Sequence, residues 1–424
     1  MESSATLLSG RLKAAVYWLR QQPVSLLLIG QVVAALVGLV YGKLTALYIP
    51  PAELGAYNLW YAGMMFLFSL LISPVVQSFK ASLATQELAR SLPLHGGVLL
   101  ISYSVVLLSL LGIIGGAGNY QIALLVWVAS VGQCLYALGN DFLIARGRYK
   151  TFTVLQIGYA LGNVLLFVLI NVQWKWQSMA GLWWALAILN AVFASLSFRH
   201  LWATAQVNFM AAGTWSIRRY GPELQAIRQY ALPLAGMAFW AWLLNYADRY
   251  LIRYYLTDDA VGYYTMGYGV GSKLLLLSTP FVTHLTGIAI RQRKAGESVK
   301  TLSQMQRKYV LLYVGVASLA CLTLYVGQDW FGALLLSARY QTAFQLAPLI
   351  AVSYLFLTTC HLFEVNWYVN GQTKFILWHN VAGALANIGL NMWLIPIYGI
   401  LGAALAMIGS TACQLGLVTT LPKR

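Results

Sequence analysis

The chain has 424 residues, 60% of them apolar and only 9% charged, whereas an ordinary soluble chain carries about 45 to 50% apolar and about 25% charged residues. So little charge cannot solvate the two or three soluble domains that the length would otherwise suggest, and the composition reads as an integral membrane protein. The formal net charge of +16 does not signal nucleic acid, because the basic residues form no stripe with interleaved aromatics; they fall in short clusters between apolar runs, as topology signals do.

In chain order, Arg11, Lys13 and Arg20 precede a first apolar run of about 25 residues. That run lacks a small-residue cleavage site, so it reads as a retained membrane helix and not a secretory signal. A helix crossing about 30 Å of hydrocarbon needs about 20 residues. Runs that qualify lie at 24–48, 56–79, 97–116, 119–139, 151–171, 179–199, 231–254, 262–284, 309–327, 342–363, 373–394 and 399–420. With both termini cytoplasmic, these twelve spans leave 21 of the 27 Lys and Arg on inner segments, the bias expected of a correct span count.

A polar linker, 201–229, divides the spans into an N-terminal lobe (1–200, helices 1 to 6) and a C-terminal lobe (230–424, helices 7 to 12). The lobes repeat. Residues 48–61 match 255–268 at an offset of 207, through Tyr48/Tyr255, Gly55/Gly262, Tyr57/Tyr264 and Tyr61/Tyr268. Residues 147–166 match 371–390 at an offset of 224, through Gly147/Gly371, Lys150/Lys374, Ala160/Ala384, Leu161/Leu385, Asn163/Asn387 and Leu166/Leu390. Six spans per half make the repeats parallel, so the expected fold is an all-α polytopic bundle of two six-helix lobes about a pseudo-twofold axis along the membrane normal. Transporters use such an architecture, with the substrate site between the halves.

The charges inside this bundle are few. Among acids only Asp248 lies well inside a span, with Glu364 and Asp141 at inner ends. Lys273 lies about eleven residues into the eighth span, near mid-membrane at about 1.5 Å per residue. An insertion cost of about 2.5 to 3.5 kcal/mol there implies a buried, partnered or hydrated position. In "LLNYADRYLIRYY" (243–255), Asn245, Arg249 and Arg253 share a helix face, whereas Asp248 and Arg249 point about 100° apart and are not expected to pair with each other. Each then needs a partner on another helix or in a wet cavity. Either the pair fixes helix packing, or Arg249 binds an anion while Asp248 holds a proton or cation.

Cations outnumber acids along the spans, which favours an anionic substrate. The candidates for a cationic cavity are Arg249, Lys273, Lys43 near an outer end, and Lys80, Arg146 and Lys374 at inner ends, where a purely topological role competes. Asp248 and Glu364 are the candidates for ion coupling. Asn380, Asn387 and Asn391 form one face of the eleventh helix and, with Asn245, either line a cavity or bond neighbouring helices. The four Cys lie in apolar runs as packing residues, and His284, His361 and His379 are isolated. No Walker, GxGxxG, metal-spaced or nucleophile-elbow motif occurs.

The stretch "YALPLAGMAFWAWLLNYADRYLIRYYLTDDAVGYYTMGY" carries Pro233-Leu234, Asp248-Arg249 and Gly262-Tyr263-Tyr264; with "LGAYNLW" and "NIGLNMWLIPIYGILGAALA", it resembles the polysaccharide transporter, or O-antigen flippase (Wzx-type), family of the multidrug/oligosaccharidyl-lipid/polysaccharide exporter superfamily. The likeness covers essentially the whole chain, but departs at Ser73-Pro74 and Lys80, where the family shows a Gly-rich turn and an Arg. It implies two lobes opening alternately, and an undecaprenyl-diphosphate oligosaccharide moved from the inner to the outer leaflet of the bacterial cytoplasmic membrane. No cofactor is implied beyond a coupling proton or sodium ion. The implied partners are membrane lipids and polysaccharide polymerase and export machinery. A cation-coupled drug exporter of the same superfamily would want more acids than Asp248. A membrane glycan polymerase or glycosyltransferase, hinted at by Asp258-Asp259, would want larger outer loops.

Overall fold

The computed structural model describes residues 23–82, 88–115, 120–205, 221–294 and 299–420, which are helical apart from short turns, with no strand among them. The basic clusters at Arg11, Lys13 and Arg20, at Arg218 and Arg219, and at Lys423 and Arg424 lie outside the described residues. Eleven helical stretches are long and apolar enough to cross a membrane. The remaining expected span, 231–254, lies within a 35-residue helix, Gly221–Tyr255. Trp240, Trp242, Asn245 and Asp248 dilute its hydropathy without shortening it. Exposed Leu100, Val154, Leu232, Leu319 and Val326 coexist with buried Asn171, Asn190, Asn391 and Gln414. Apolar surface on this scale suits lipid and not water, and the chain is a multi-pass membrane protein.

The described residues form two compact units, one of residues up to Tyr41 with Leu67–Ala235, the other of Gly42–Phe66 with Gly236–Arg424. Residues 42–66 therefore pack with the C-terminal elements, where chain order had placed them in the first lobe. The expected linker 201–229 is also helical at both ends, because a helix propagates without apolar residues.

The first unit contains most of α1 (Pro23–Tyr48), the end of α2 (Pro51–Leu67), then α3 (Ser73–Ser82), α4 (Leu88–Gly115), α5 (Tyr120–Ala145), α6 (Tyr149–Phe167) and α7 (Met179–Ala205). A π-helical turn, Phe68–Ile72, joins α2 to α3, immediately before Pro74, whose missing N–H interrupts the α pattern. Helices α5 and α7 approach closely because Gly132 and Gly139 lack a side chain: a Cβ there would lie 2.8 Å from that of Asn190 and 2.4 Å from that of Ser197. Asn190 uses the proximity to donate to the Ala129 carbonyl at 2.9 Å.

The second unit holds α8 (Gly221–Tyr255) from Gly236 onward, α9 (Asp258–Gly271), α10 (Leu275–Lys294), α11 (Val299–Val326), α12 (Gln328–Leu335), α13 (Leu346–Val369), α14 (Thr373–Tyr398) and α15 (Ile400–Thr420). Helix α13 is its axis, burying Ile350, Tyr354, Leu355 and Leu362 with Tyr264, Leu285, Tyr313 and Met407. Gly267 and Gly271 press against Leu346 and the Ala347 carbonyl, as close helix contacts should.

The duplication is visible in the backbone. Gly147 and Gly371 have positive φ of 68° and 71°, and the hydrogen bonds around them correspond one for one. Arg146 N–H to Phe142 O, Gly147 to Ile144 and Arg148 to Leu143 recur as Asn370 to Asn366, Gly371 to Tyr368 and Gln372 to Trp367. At the other repeat the two copies meet. A Cβ on Gly55 would lie 1.9 Å from the Asp258 carbonyl oxygen, and one on Gly262 2.1 Å from the Pro51 oxygen. Pro51 and Asp258 are themselves separated by the offset of 207, so the contact is reciprocal, as at a twofold axis.

Candidate functional site

The expectation that Asp248 and Arg249 could not pair is overturned. Their side chains meet at 2.9 Å, with only 6% and 5% of the Arg and Asp side chains accessible. Arginine is long enough to curl back along its own helix, where it also donates to the Asn245 carbonyl. The same carboxylate oxygen accepts the Arg249 backbone N–H at 2.8 Å; the other accepts the Tyr264 hydroxyl. The guanidinium lies against the rings of Tyr246 at 4.9 Å and Tyr268 at 4.7 Å, and Tyr268 bonds Tyr354 on α13. Arg249 is thus committed to a partner on α8 and braced by α9. Arg253 pairs with Asp258 at 2.5 Å, ahead of α9, so Asp258 acts as a counter-ion at a helix start.

The other candidates separate in the same way. Lys43 donates to the Ala333 carbonyl at 2.6 Å and to that of Leu336, neutralising the C-terminal end of α12. Lys80 pairs with Asp141 at 2.8 Å. Arg146 is exposed, 5.4 Å from the Phe142 ring. Lys273 occupies a 3₁₀ turn, Ser272–Leu274, between α9 and α10, near the middle of a 36-residue helical stretch, Asp258–Arg293. It is exposed and makes no ion pair or hydrogen bond among the described residues, and the same holds for Lys374.

Asn387 and Asn391 take the second of the two expected roles, bonding between helices and along their own. Both are buried, Asn387 bonded to Ser410 of α15 at 3.2 Å and Asn391 to Asn387, because α14 and α15 pack closely at Gly402. Asn380 does face a small apolar cavity, with Met237, Ala241 and Leu377, and Asn245 bonds back to its own helix at Ala241. His379 is not isolated. Its Nδ1 lies 2.9 Å from Glu364 Oε1, while Nε2 faces the Gln414 carbonyl at 3.0 Å. A carbonyl only accepts, so Nε2 is the nitrogen that carries the hydrogen there. Of the Cys, Cys134, Cys321 and Cys360 are buried as expected, while Cys413 is exposed.

A site that the sequence reading passed over lies in the first unit, between α1, α5 and α6. It is a cavity of about 370 Å³ walled by Tyr41, Tyr136, Phe152 and Tyr159 and by the amides Asn140, Gln156 and Asn163, with no charged residue. Its signal was available: Phe152, Gln156, Tyr159 and Asn163 fall at i, i+4, i+7 and i+11, the spacing that had singled out Asn380, Asn387 and Asn391.

Neither a protein-family model nor a curated protein matches the sequence. Solved structures do match. An inward-facing multidrug resistance MATE family transporter of the MOP superfamily aligns at a TM-score of 0.70 and 12% identity, over 90% of this chain and 92% of that one. The lipid II flippase MurJ in an inward closed conformation aligns at 0.69 and 13%, over 93% and 87%. A MOP superfamily transporter from Pyrococcus furiosus, whose binding pocket is described as reversed in polarity, aligns at 0.62 and 14%, over 95% and 94%. At these identities the likeness is one of fold: the chain has the all-helical architecture found in these transporters.

Proposed function

We propose that the chain is a flippase carrying a lipid-linked oligosaccharide, on undecaprenyl diphosphate, from the cytoplasmic to the outer leaflet by alternating access, for O-antigen, exopolysaccharide or capsule assembly. The observation that supports it is the disposition of charge. The three acids inside an expected span or at its inner end are all taken: Asp141 by Lys80, Asp248 by Arg249 and Glu364 by His379. Lys273, at mid-span, has no counter-ion among the described residues. So arranged, the described spans have positive charge to offer a diphosphate, while the acids inside them and at their inner ends already have partners. The Glu364–His379 contact is the place where a coupling proton would be held.

The test is flipping of a fluorescent undecaprenyl-diphosphate oligosaccharide in proteoliposomes. A charge-assisted contact is worth about 1.5 to 3 kcal/mol, so Lys273→Ala should slow flipping by about 10- to 150-fold while Lys273→Arg retains most of it. Wild-type flipping by Lys273→Ala would remove the assignment of that residue.

A second reading, a multidrug exporter, draws on the aromatic walls of the first unit's cavity, since ring faces attract organic cations. Efflux of tetraphenylphosphonium by proteoliposomes that move no lipid-linked glycan would establish it in place of the first.

A further inference from the structure

We infer that the cavity between α1, α5 and α6 is a subsite for an uncharged glycosyl residue, an assignment that rests on the flippase reading and gives its cargo's sugar a place. At about 370 Å³ the cavity falls at the lower end of the range for small-molecule sites, about 300 to 1,000 Å³. With no Lys, Arg, Asp or Glu in its wall, it offers a phosphate no counter-charge and an ammonium no carboxylate.

What it does offer are flat rings and amides. A pyranose has the complementary chemistry, with C–H faces that lie on rings and a rim of hydroxyls that both donate and accept. The rings are set in advance. Tyr136 and Tyr159 stack at 4.7 Å and 9°, Phe193 abuts both edge-on, and the Tyr159 hydroxyl donates to Asn190 at 2.7 Å. Two amide oxygens, Asn140 Oδ1 and Gln156 Oε1, are buried without a hydrogen-bond partner among the described residues. Both residues belong to the cavity wall, and a ligand hydroxyl is the kind of donor these oxygens lack. Gly30 makes room for one of them, since a Cβ there would lie 2.6 Å from Gln156 Oε1.

The repeat supplies an internal comparison. At the offset of 224, Gln156, Tyr159, Asn163 and Asn190 become Asn380, Gly383, Asn387 and Gln414. In that copy the Gln414 amide fills the space over Gly383, where a Cβ would lie 2.1 Å from its Nε2, and Asn387 is spent on Ser410. What remains there is a smaller cavity of about 250 Å³ with one amide, Asn380, and aliphatic walls. One copy of the framework keeps a smaller, mainly aliphatic cavity, and the other is lined for a polar, flat ligand.

The experiment is saturation-transfer NMR on the full chain in nanodiscs. The probes are glucose, galactose, mannose, rhamnose and N-acetylglucosamine, with sodium pyrophosphate and tetraphenylphosphonium chloride as the charged alternatives. At least one neutral sugar should give a signal, weakened about five-fold or more by Asn140→Ala or Gln156→Ala, in keeping with one lost hydrogen bond. Gly30→Ala, which displaces the Gln156 amide without removing it, should weaken the signal too. Asn380→Ala, at the counterpart position, should leave it unchanged. Silence from every sugar, a sugar signal indifferent to all three first-unit variants, or saturation by tetraphenylphosphonium alone would overturn the assignment. Sugar binding without any flipping would overturn the proposed function and leave the subsite standing, whereas flipping untouched by these variants would do the reverse.

Discussion

Gly55→Ala and Gly262→Ala test the reciprocal contact between the starts of α2 and α9. The added methyl on Gly262 would sit 2.1 Å from the Pro51 oxygen and 2.8 Å from its carbonyl carbon, and that on Gly55 1.9 Å from the Asp258 oxygen. These neighbours are backbone atoms, so no rotamer change relieves them; the two helix starts must part by more than an ångström to regain an ordinary 3.4 Å contact. Overpacking of this kind costs about 1 to 3 kcal/mol, a shift of about 5- to 150-fold against the closed contact. The two costs should not add, because the first methyl already creates the gap that the second would need. Denaturation of the detergent-solubilised protein measures both terms, and hydrogen exchange at 52–58 and 259–265 localises them. Wild-type stability in both single variants, or full additivity in the double, would refute the argument, since either would mean that the backbones are not in contact. If transport requires these helix starts to separate, flipping by the single variants would change even where overall stability recovers at low temperature.

Asp248→Asn should cost about 3 to 5 kcal/mol, because it leaves the Arg249 guanidinium buried without its counter-ion; Asp248→Asn/Arg249→Met should regain much of that loss, measured by thermal denaturation. Glu364→Ala and His379→Ala should each cost about 1 to 3 kcal/mol, with a double-mutant coupling energy of about 0.5 kcal/mol or more. Additive losses would separate the two side chains energetically despite their 2.9 Å approach.

The span pattern and the duplication were legible because both rest on local chemistry. Apolar run length sets membrane crossing, and Gly147 and Gly371 are needed where φ is positive. What was not legible depends on reach and on tertiary neighbours. Helical angles place Cβ directions, and so separated Asp248 from Arg249, but they do not limit a side chain as long as arginine. Nothing within residues 42–66 announces that they pack with the second unit. The charged candidates attracted attention because charge in lipid is conspicuous, yet most of them are spent on partners, and the cavity in the first unit is built from residues that looked like ordinary packing. His379 appeared isolated because its partner, Glu364, lies across the turn that joins α13 to α14.

The way in which residues 42–66 are held has a consequence of its own. Ser337, Tyr340, Tyr250 and Trp242 donate to the main-chain oxygens of Ala46, Ile49, Leu59 and Ala62. A fastening that grips peptide oxygens does not itself read side chains, so at Ala46, Ile49 and Ala62, all fully buried, packing and not the hydrogen bond decides which residue fits. Four separate bonds hold the stretch, and a seam sewn in this way can be unpicked one stitch at a time.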